Sequence, residues 1–352
     1  LANNSVDYGH GPTANIGGAS GSALDYSENT SLDDSGFHAL SKASGVALLD
    51  AFVYGEFDVL DMPLDVRLGR QVVNWGESTF IGGGINAINP MDVSALRRPG
   101  AEIKEALLPV NMAYASVGLS DDLSAEAFYQ LEFEGHALPG CGSYFSFVDS
   151  VAQGCDNITI ANGQMNVSRS QQDGHRSAQS DGQFGVAFRF VAQGLADTEF
   201  GLYAMNIHNR APNTSFVKNN VNEVQIATGI VTAAVTQVAQ LGQAAIASAI
   251  ANGDYTQGSA QHQAAGAALQ AQMAATQAAV TPAAARAAAA QVTADSHYYT
   301  VHEEDLQVLG LSFASNVGSM ALAGEVSHKS DVPVQINGPY MVSALLGAHV
   351  LD

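Results

Sequence analysis

The sequence predicts a mainly β protein, an antiparallel transmembrane-type β-barrel into which one Ala/Gln-rich helical hairpin is inserted. Segments of about nine or ten residues, in which apolar and polar side chains alternate, recur between turns rich in Gly, Asp and Asn. Alternation gives a sheet two different faces, and strands of this length can cross a bilayer. One long segment lacks the alternation and has a helix-forming composition. A soluble β-sandwich shows the same alternation, so the pattern alone leaves both architectures open.

Two alternating strands lie between Ala51 and Gly76, joined by a short acidic turn and followed by the chain's only tryptophan. The second strand is apolar on one side and polar on the other, as in a barrel wall. Its apolar face carries Leu64, Val66 and Leu68, and its polar face carries Asp65, Arg67 and Gln71. Five further segments show the same alternation: Ala125–Phe133, Gln183–Phe190, Glu199–Ile207, Leu306–Ser315 and Met320–His328.

The composition argues against a nucleic-acid partner and against a helical membrane span. Lys and Arg number 13 against 34 Asp and Glu, so the formal net charge is −21, and such a chain repels phosphate backbones. Hydrophobic residues make up 47% of the chain. No run of about twenty residues, however, combines the absence of charge with a high density of Leu, Ile, Phe and Val.

The two ends of the sequence suggest a mature or partial chain. No basic segment followed by an apolar one is present, so we expect a signal peptide to have been removed or to lie upstream. The chain also stops without an aromatic last residue. We therefore expect a closed barrel to need strands outside this sequence.

Basic residues are concentrated in one place in this acidic chain. Five of the 13 lie within 38 positions, and we interpret them as cargo-binding or gating residues: Arg67, Arg70, Arg97, Arg98 and Lys104. Such a cluster can hold an anionic head group or a carboxylate, to which arginine makes bidentate contacts. The alternative is internal neutralisation by nearby acids, namely Asp65, Glu77, Asp92, Glu102 and Glu105.

The segment 74–109 is too long for a simple turn and is predicted to fold inward, where it would constrict or gate the barrel. Gly82, Gly83 and Gly84 permit backbone conformations that other residues avoid. Asn89 and Pro90 predict the N-cap and first residue of a short helix.

Cys141 and Cys155 lie in a turn-rich segment, 136–160, and predict a disulfide in an exposed loop. A bridge there closes a loop of about 15 residues, worth about 3 kcal/mol. Two free thiols in a reducing compartment are the alternative. A zinc site is not predicted because no second pair of ligands has matching spacing.

The segment 219–295 predicts the helical hairpin, since it is rich in Ala and Gln and nearly free of charge. A first helix ends at the turn signal Asn252-Gly253-Asp254. A second helix is predicted over Ser259–Val280, and Thr281-Pro282 is predicted to start a third. With so few charges the hairpin is expected to pack against the barrel or another protein, although a tolerated loop insertion is the alternative.

No catalytic residue, cofactor or metal is predicted, and the chain is not expected to be an enzyme. Motifs for a hydrolase elbow or a zinc protease are absent. One cluster of potential metal ligands is interpreted as structural because its spacing matches no known site: His297, His302, Glu303, Glu304 and Asp305.

Several segments together resemble a known family: Leu32–His38, Leu48–Asp58, Met62–Met112, the AFYQLEFE segment and Leu309–Phe313. They are similar to the Gram-negative domain-of-unknown-function family 1302, over most of the chain except the hairpin. The resemblance implies a barrel-type protein of the cell outer membrane. It also implies a role in moving lipids or other hydrophobic compounds across the envelope, beside an outer-membrane-associated lipoprotein and a resistance-nodulation-division transporter. No catalytic residues are known for the family.

The expected organisation therefore has three parts. Residues 1–218 form the first barrel strands with the inward loop and the cysteine loop, 219–295 form the hairpin, and 296–352 continue the barrel. The expected function is transport of lipids or other amphipathic compounds, with outer-membrane lipids as partners. The alternative is a structural or adhesive surface protein that assembles through the hairpin. The sequence does not indicate an oligomeric state.

Overall fold

A computed structural model of the chain describes residues 34, 36–42, 44–77, 83–97, 99–100, 106–141, 143, 146, 148, 150–160, 165–218, 223–294 and 296–345. Within these residues the protein is mainly β, with one large antiparallel sheet, one smaller sheet and a few helices. The mainly β prediction is confirmed in this form.

Eight strands build the large sheet, and every neighbouring pair in it is antiparallel. Their spatial order is β1 (Ala51–Val59), β2 (Met62–Gln71), β3 (Val110–Ser120), β4 (Leu123–Gln130), β8 (Phe184–Ala192), β9 (Thr198–Ile207), β12 (Leu306–Val317) and β13 (Met320–Lys329). Within the described residues β1 and β13 do not pair with each other, so the sheet is open. The closed barrel stays a prediction.

The two faces of this sheet differ, as the alternation predicts. On the outer face Phe188, Leu202 and Leu311 are cross-strand neighbours, and they are 45%, 56% and 50% exposed. On the inner face Tyr203 and Met205 of the same strands are buried. A one-residue change in register would exchange these faces, so the apolar pattern fixes the pairing.

The inner face is covered by the connection between β2 and β3, residues 72–109, which we call the inner loop. Trp75, Ile85 and Ile88 of this loop are fully buried and form one hydrophobic core with inner-face residues of the sheet. The ring of Trp75 lies 5.1 Å from that of Phe128 on β4 and 5.9 Å from that of Tyr203 on β9. The loop thus fills the space in front of the sheet with side chains.

The short helix of the inner loop, α1 (Val93–Leu96), begins later than predicted. Its N-cap is Asp92, whose carboxylate accepts hydrogen bonds from the backbone N–H groups of Ser94 and Ala95. The predicted cap, Asn89, has another role. Its buried side chain accepts from Val73 N and donates to the carbonyl oxygens of Gln71 and Leu108, which ties the two ends of the loop together.

A second sheet is formed by β5 (Asn157–Ile160), β6 (Met165–Arg169), β7 (His175–Arg176), β10 (Asn213–Val217) and β11 (His297–Val301). β11 pairs antiparallel with β10 and parallel with β6 and β7. The region 297–301, for which the alternation predicted no strand, is therefore a strand. Beside β10, before α4 (Gly338–Leu345), the Gln335 side chain accepts from Thr214 N at 2.6 Å and donates to Thr214 O at 3.1 Å.

The helical hairpin consists of α2 (Glu223–Ala251) and α3 (Ala260–Ala294), which connect β10 to β11. The third helix predicted at Thr281-Pro282 is wrong, because α3 continues through Pro282. The Thr281 hydroxyl donates to Gln277 O at 2.6 Å inside the helix. Strong helix formers on both sides of Pro282 allow the helix to continue despite one missing N–H.

The hairpin contacts the sheets at its base, near the end of α3. Ala284, Ala288 and Val292 near the end of α3 are buried, and α3 contacts β6. By length and composition, Val224–Ala251 of α2 could cross a membrane, and it is the one described helix that meets this criterion. This helix is not apparent as a membrane span from sequence because Gln, Thr, Gly and Ser alternate with its Ala, Val and Ile residues.

The disulfide between Cys141 and Cys155 is present, with a Cα–Cα distance of 5.3 Å. The loop has exposed residues, such as Val148 and Gly154, as expected, but the two cysteines are buried and pack with Phe37 and Ala152. The bridge therefore closes the loop on a small hydrophobic cluster of its own.

Candidate functional site

The inner face of the large sheet carries a network of charged and aromatic side chains around Trp75. The indole Nε1 of Trp75 donates to Glu126 Oε2 at 2.7 Å. Arg189 Nε donates to Glu126 Oε1 at 2.9 Å, and Arg189 Nη1 donates to Glu199 Oε1 at 2.9 Å. The guanidinium also lies 6.0 Å from the ring centre of Tyr203. Each group in this network has a complementary partner, so the network fixes the loop to the sheet.

Strand register brings these residues together. Arg189 of β8 lies opposite Ser124 of β4 and Gly201 of β9, all on the inner face. Glu126 follows two residues after Ser124 and therefore points to the same side. Gly201 leaves space for the ring of Tyr203, since a Cβ there would lie 2.2 Å from the Tyr203 hydroxyl oxygen.

The inner loop also reaches the last strand of the sheet. Glu77 N donates to Glu325 Oε2 of β13 at 2.8 Å. Gly76 has φ +81, and a Cβ on it would lie 2.6 Å from the same carboxylate oxygen, so only glycine fits without a shift. Since Trp75 contacts β4 and β9, the loop extends across the inner face from β4 to β13.

Of the five predicted cargo-binding residues, Arg67 and Arg70 lie on opposite faces of β2. Arg67 is exposed on the inner face, with its guanidinium carbon 5.1 Å from the ring centre of Tyr114 and 5.9 Å from that of Phe52. Among the described residues it makes no ion pair. Arg70 lies on the outer face of the same strand and pairs with Glu132 at 3.0 Å and Glu134 at 2.9 Å.

The other three basic residues belong to the middle of the inner loop. Arg97 is exposed and is the C-cap of α1. Arg98 and Lys104 lie outside the described residues. Of the predicted set, Arg67 is thus the described residue that lies on the inner face beside aromatic rings and makes no ion pair with another described residue.

A second polar group lies where the inner loop meets the connection between β9 and β10. Arg210 is 4% exposed and donates to Glu134 O at 2.8 Å, to Ile88 O at 2.9 Å and to Gln130 Oε1. Burial lowers the pKa of its guanidinium to about 10, opposed by the charge of Glu134. One arginine therefore joins the inner loop, the end of β4 and the segment after β9.

Three histidines near this region, His136, His302 and His175, are uncharged at neutral pH. His136 Nδ1 accepts from Met91 N at 2.9 Å, and burial, with Arg210 and His302 nearby, lowers the pKa of His136 to about 4. Burial also lowers the pKa values of His302 and His175, whose rings lie 5.4 Å apart. At neutral pH these rings act as hydrogen-bonding groups, not as charges.

The acidic neighbours of His302 are engaged in hydrogen bonds as well. Glu303 accepts from the side chains of Asn209 and Asn213, and Asp305 accepts from Asn206. In the described part of the chain, no three His, Cys, Asp or Glu side chains are arranged to hold a metal ion.

Comparison with known proteins decides the family. The model of the family described as "Protein of unknown function (DUF1302)" matches residues 4–350, a range that also contains the helical hairpin. The chain belongs to this family. No curated protein and no solved structure matches it.

Sequence reasoning missed the inner-face network of this DUF1302 protein. Its members are Glu126, Arg189, Glu199 and Glu325. A signal was available, because each is a charged residue within a largely apolar strand and falls on the polar side of the alternation. Arg210 had no such signal, since its contacts are made between segments far apart in the chain.

Proposed function

We propose that this DUF1302 protein lies in the outer membrane, where its large sheet forms barrel wall and takes part in transport of lipids or other hydrophobic or amphipathic compounds. The observation that carries the proposal is the outer face of the sheet. Large apolar side chains are exposed there on strand after strand, including Val53, Leu68, Phe188, Leu202, Leu311 and Val326. A patch of this extent is costly in water and favourable in lipid.

The inner face of the sheet favours a transport role over a purely structural one. The inner loop lies across the sheet from β4 to β13, so a barrel built from this wall is narrowed by its own loop. Beside the covered region Arg67 stays exposed between two aromatic rings. A cation next to aromatic surface suits the anionic head group and the apolar body of an amphipathic molecule.

The partners in this proposal are outer-membrane lipids, an outer-membrane-associated lipoprotein and a resistance-nodulation-division transporter. They follow from the family resemblance. The chain is proposed to act without a catalytic group or a cofactor. The inner-face charges serve to hold the loop and to contact cargo.

One observation favours the alternative, a surface protein that assembles through the hairpin. Leu241 and Val224 on α2 are 65% and 70% exposed. The hairpin also carries very few charges that would favour contact with water. A partner surface would cover these side chains. In this case the hairpin, and not the inner face, carries the function.

A pair of matched substitutions separates the two proposals. Leu311→Arg puts a charge on the outer face of the sheet, where lipid contact would cost about 2–4 kcal/mol near the bilayer midplane. Leu241→Arg puts the same charge on α2. We expect the first to abolish outer-membrane fractionation and the heat-modifiable gel shift of the unboiled protein, and the second to preserve both.

Cargo binding is tested by lipid analysis of the protein purified in detergent. Arg67→Gln should reduce co-purified anionic lipid severalfold, whereas Arg176→Gln, a control on β7, should not. Normal fractionation of Leu311→Arg would contradict the membrane proposal. Unchanged lipid in Arg67→Gln, with loss of self-association in Leu241→Arg, would favour the alternative.

A further inference from the structure

A cavity of about 200 Å³ lies between the inner loop and the ends of β9, β12 and β13. The polar residues that line it include Asn86, His136, His208, Arg210 and Lys329. No carboxylate lines it among the described residues. In a chain with a net charge of −21, a cavity with two cations and no acid is unusual.

Arg210 is the buried cation of this cavity. All of its hydrogen-bond acceptors are neutral, namely two backbone carbonyls and the amide oxygen of Gln130. Its Nε is buried and has no hydrogen-bond partner, and none of the ion pairs in the described residues includes Arg210. The charge of Glu134 acts on Arg210 only weakly compared with burial, and Glu134 is itself paired with Arg70. A buried charge that lacks a direct ion pair costs free energy, part of which a bound anion would recover.

Two further donors line the same space. Lys329, the last residue of β13, is partly buried and makes no ion pair in the part of the chain that is described. His136 uses Nδ1 to accept from Met91 N, so its proton is on Nε2, which is then a donor. His208 does not contribute, because one ring nitrogen contacts Asp181 O and the other accepts from Asp305 N.

We propose that this cavity is a binding site for an anionic group, a carboxylate or a phosphate, held by Arg210, Lys329 and His136. The volume corresponds to about six or seven water molecules at roughly 30 Å³ each, which accommodates such a group but not a lipid tail. The anion would supply the direct ion pair that Arg210 lacks among the described residues. Guanidinium and ammonium groups are the usual donors to both kinds of anion.

This inference is independent of the proposed transport function. The anion has two sources with the same chemistry, a free small anion or the head group of an amphipathic molecule. A protein that fails to fractionate with the outer membrane could still bind phosphate here. Failure of the two proposals is therefore distinguishable.

The test measures binding of inorganic phosphate and of dodecyl phosphate to the full chain by calorimetry in a nonionic detergent. Lys329→Met removes one cation and keeps the length of the side chain. His136→Asn keeps an acceptor for Met91 N and removes the Nε2 donor. Lys218→Met is the matched control, since Lys218 lines a different cavity, between β10 and α4. Circular dichroism and the Tm verify that each variant is folded.

We expect Lys329→Met to weaken phosphate binding roughly 10- to 100-fold, as for the loss of a charge-assisted hydrogen bond. His136→Asn should weaken it less, and Lys218→Met should leave it unchanged. Tighter binding of dodecyl phosphate than of phosphate identifies a head-group site, and equal binding identifies a free-anion site. Absence of binding by both probes at millimolar concentration, or equal weakening by Lys218→Met and Lys329→Met, overturns the proposal.

Discussion

Two arginines of this protein, Arg189 and Arg210, illustrate two ways of placing a cation inside a β structure. Arg189 lies on the inner face of the sheet between Glu126 and Glu199, each at 2.9 Å. Arg210 lies deeper, where the sheet meets the inner loop, and is bound by neutral oxygens. Arg189 makes ion pairs with two carboxylates, whereas Arg210 makes none among the described residues and receives only partial compensation from the nearby charge of Glu134. Both arginines hold segments together, but the charge of Arg189 is already paired, whereas that of Arg210 can also pair with a ligand.

The largest effect on the free energy of unfolding is expected from a substitution of Arg210. Arg210→Met should lower the free energy of unfolding by about 4 kcal/mol, because the buried carbonyls of Ile88 and Glu134 lose their donor. Urea unfolding in detergent measures this. Arg210→Lys is the control, since it keeps the charge but not the planar group. A loss below about 1 kcal/mol in Arg210→Met would show that the hydrogen bonds of Arg210 do not hold the inner loop to β4.

The next largest effect is the dependence of stability on pH that comes from His136. Because the folded protein lowers the pKa of His136 to about 4, the unfolded chain binds the proton more readily between that value and the usual 6.5. The contribution of His136 to stability is therefore complete above pH 6.5 and is lost as pH falls to about 4, by about 3 kcal/mol. Unfolding free energies measured at several pH values test this.

His136→Asn provides the control for the pH experiment. It should flatten part of the pH dependence, leaving the part due to His302 and His175, whose pKa values are also lowered by burial. An identical pH profile in wild type and His136→Asn would show that His136 does not titrate in this way.

A smaller effect is expected at Glu126. Glu126→Gln keeps an acceptor for the Trp75 indole but removes one of the two charges that face Arg189. The free energy of unfolding should fall by about 2 kcal/mol. A double-mutant cycle with Arg189→Met isolates the pair, and a coupling energy near zero would remove the contrast between the two arginines.

The smallest effect is expected at Arg70, on the outer face. Its pairs with Glu132 and Glu134 are partly open to solvent, and exposed pairs contribute about 1 kcal/mol or less. Arg70→Met should therefore change the free energy of unfolding little, and high salt should reduce the difference further. A loss as large as that of Arg210→Met would place Arg70 among the structural arginines.

Much of the large sheet could be predicted from sequence, since alternation marks strands with one apolar face. The predicted segments coincide with β1, β2, β4, β8, β9, β12 and β13. β3 was missed because its outward positions include Ala113 and Ala115, which give little contrast with the inner side. The second sheet was missed because strands as short as those over 213–217 and 297–301 are too short to show a period.

The candidate sites were less predictable than the sheet. The face of β2 on which Arg67 lies follows from the alternation of side chains along the strand, and the structure places it on that face. The environment of Arg210 depends on contacts with Ile88, 122 positions away, and with Gln130, 80 positions away. Only the folded chain brings these segments together, so no local pattern identifies the cavity.

The contact between Gln335 and β10 has a consequence for the behaviour of the protein in crowded solution. The outer edge of β10 offers backbone groups to which another chain could add a strand. The amide of Gln335 has one acceptor and one donor in the arrangement of a peptide group, and it occupies both backbone groups of Thr214. A single side chain thus takes the place of a peptide group at this edge, and we expect it to disfavour intermolecular strand pairing and growth into aggregates there.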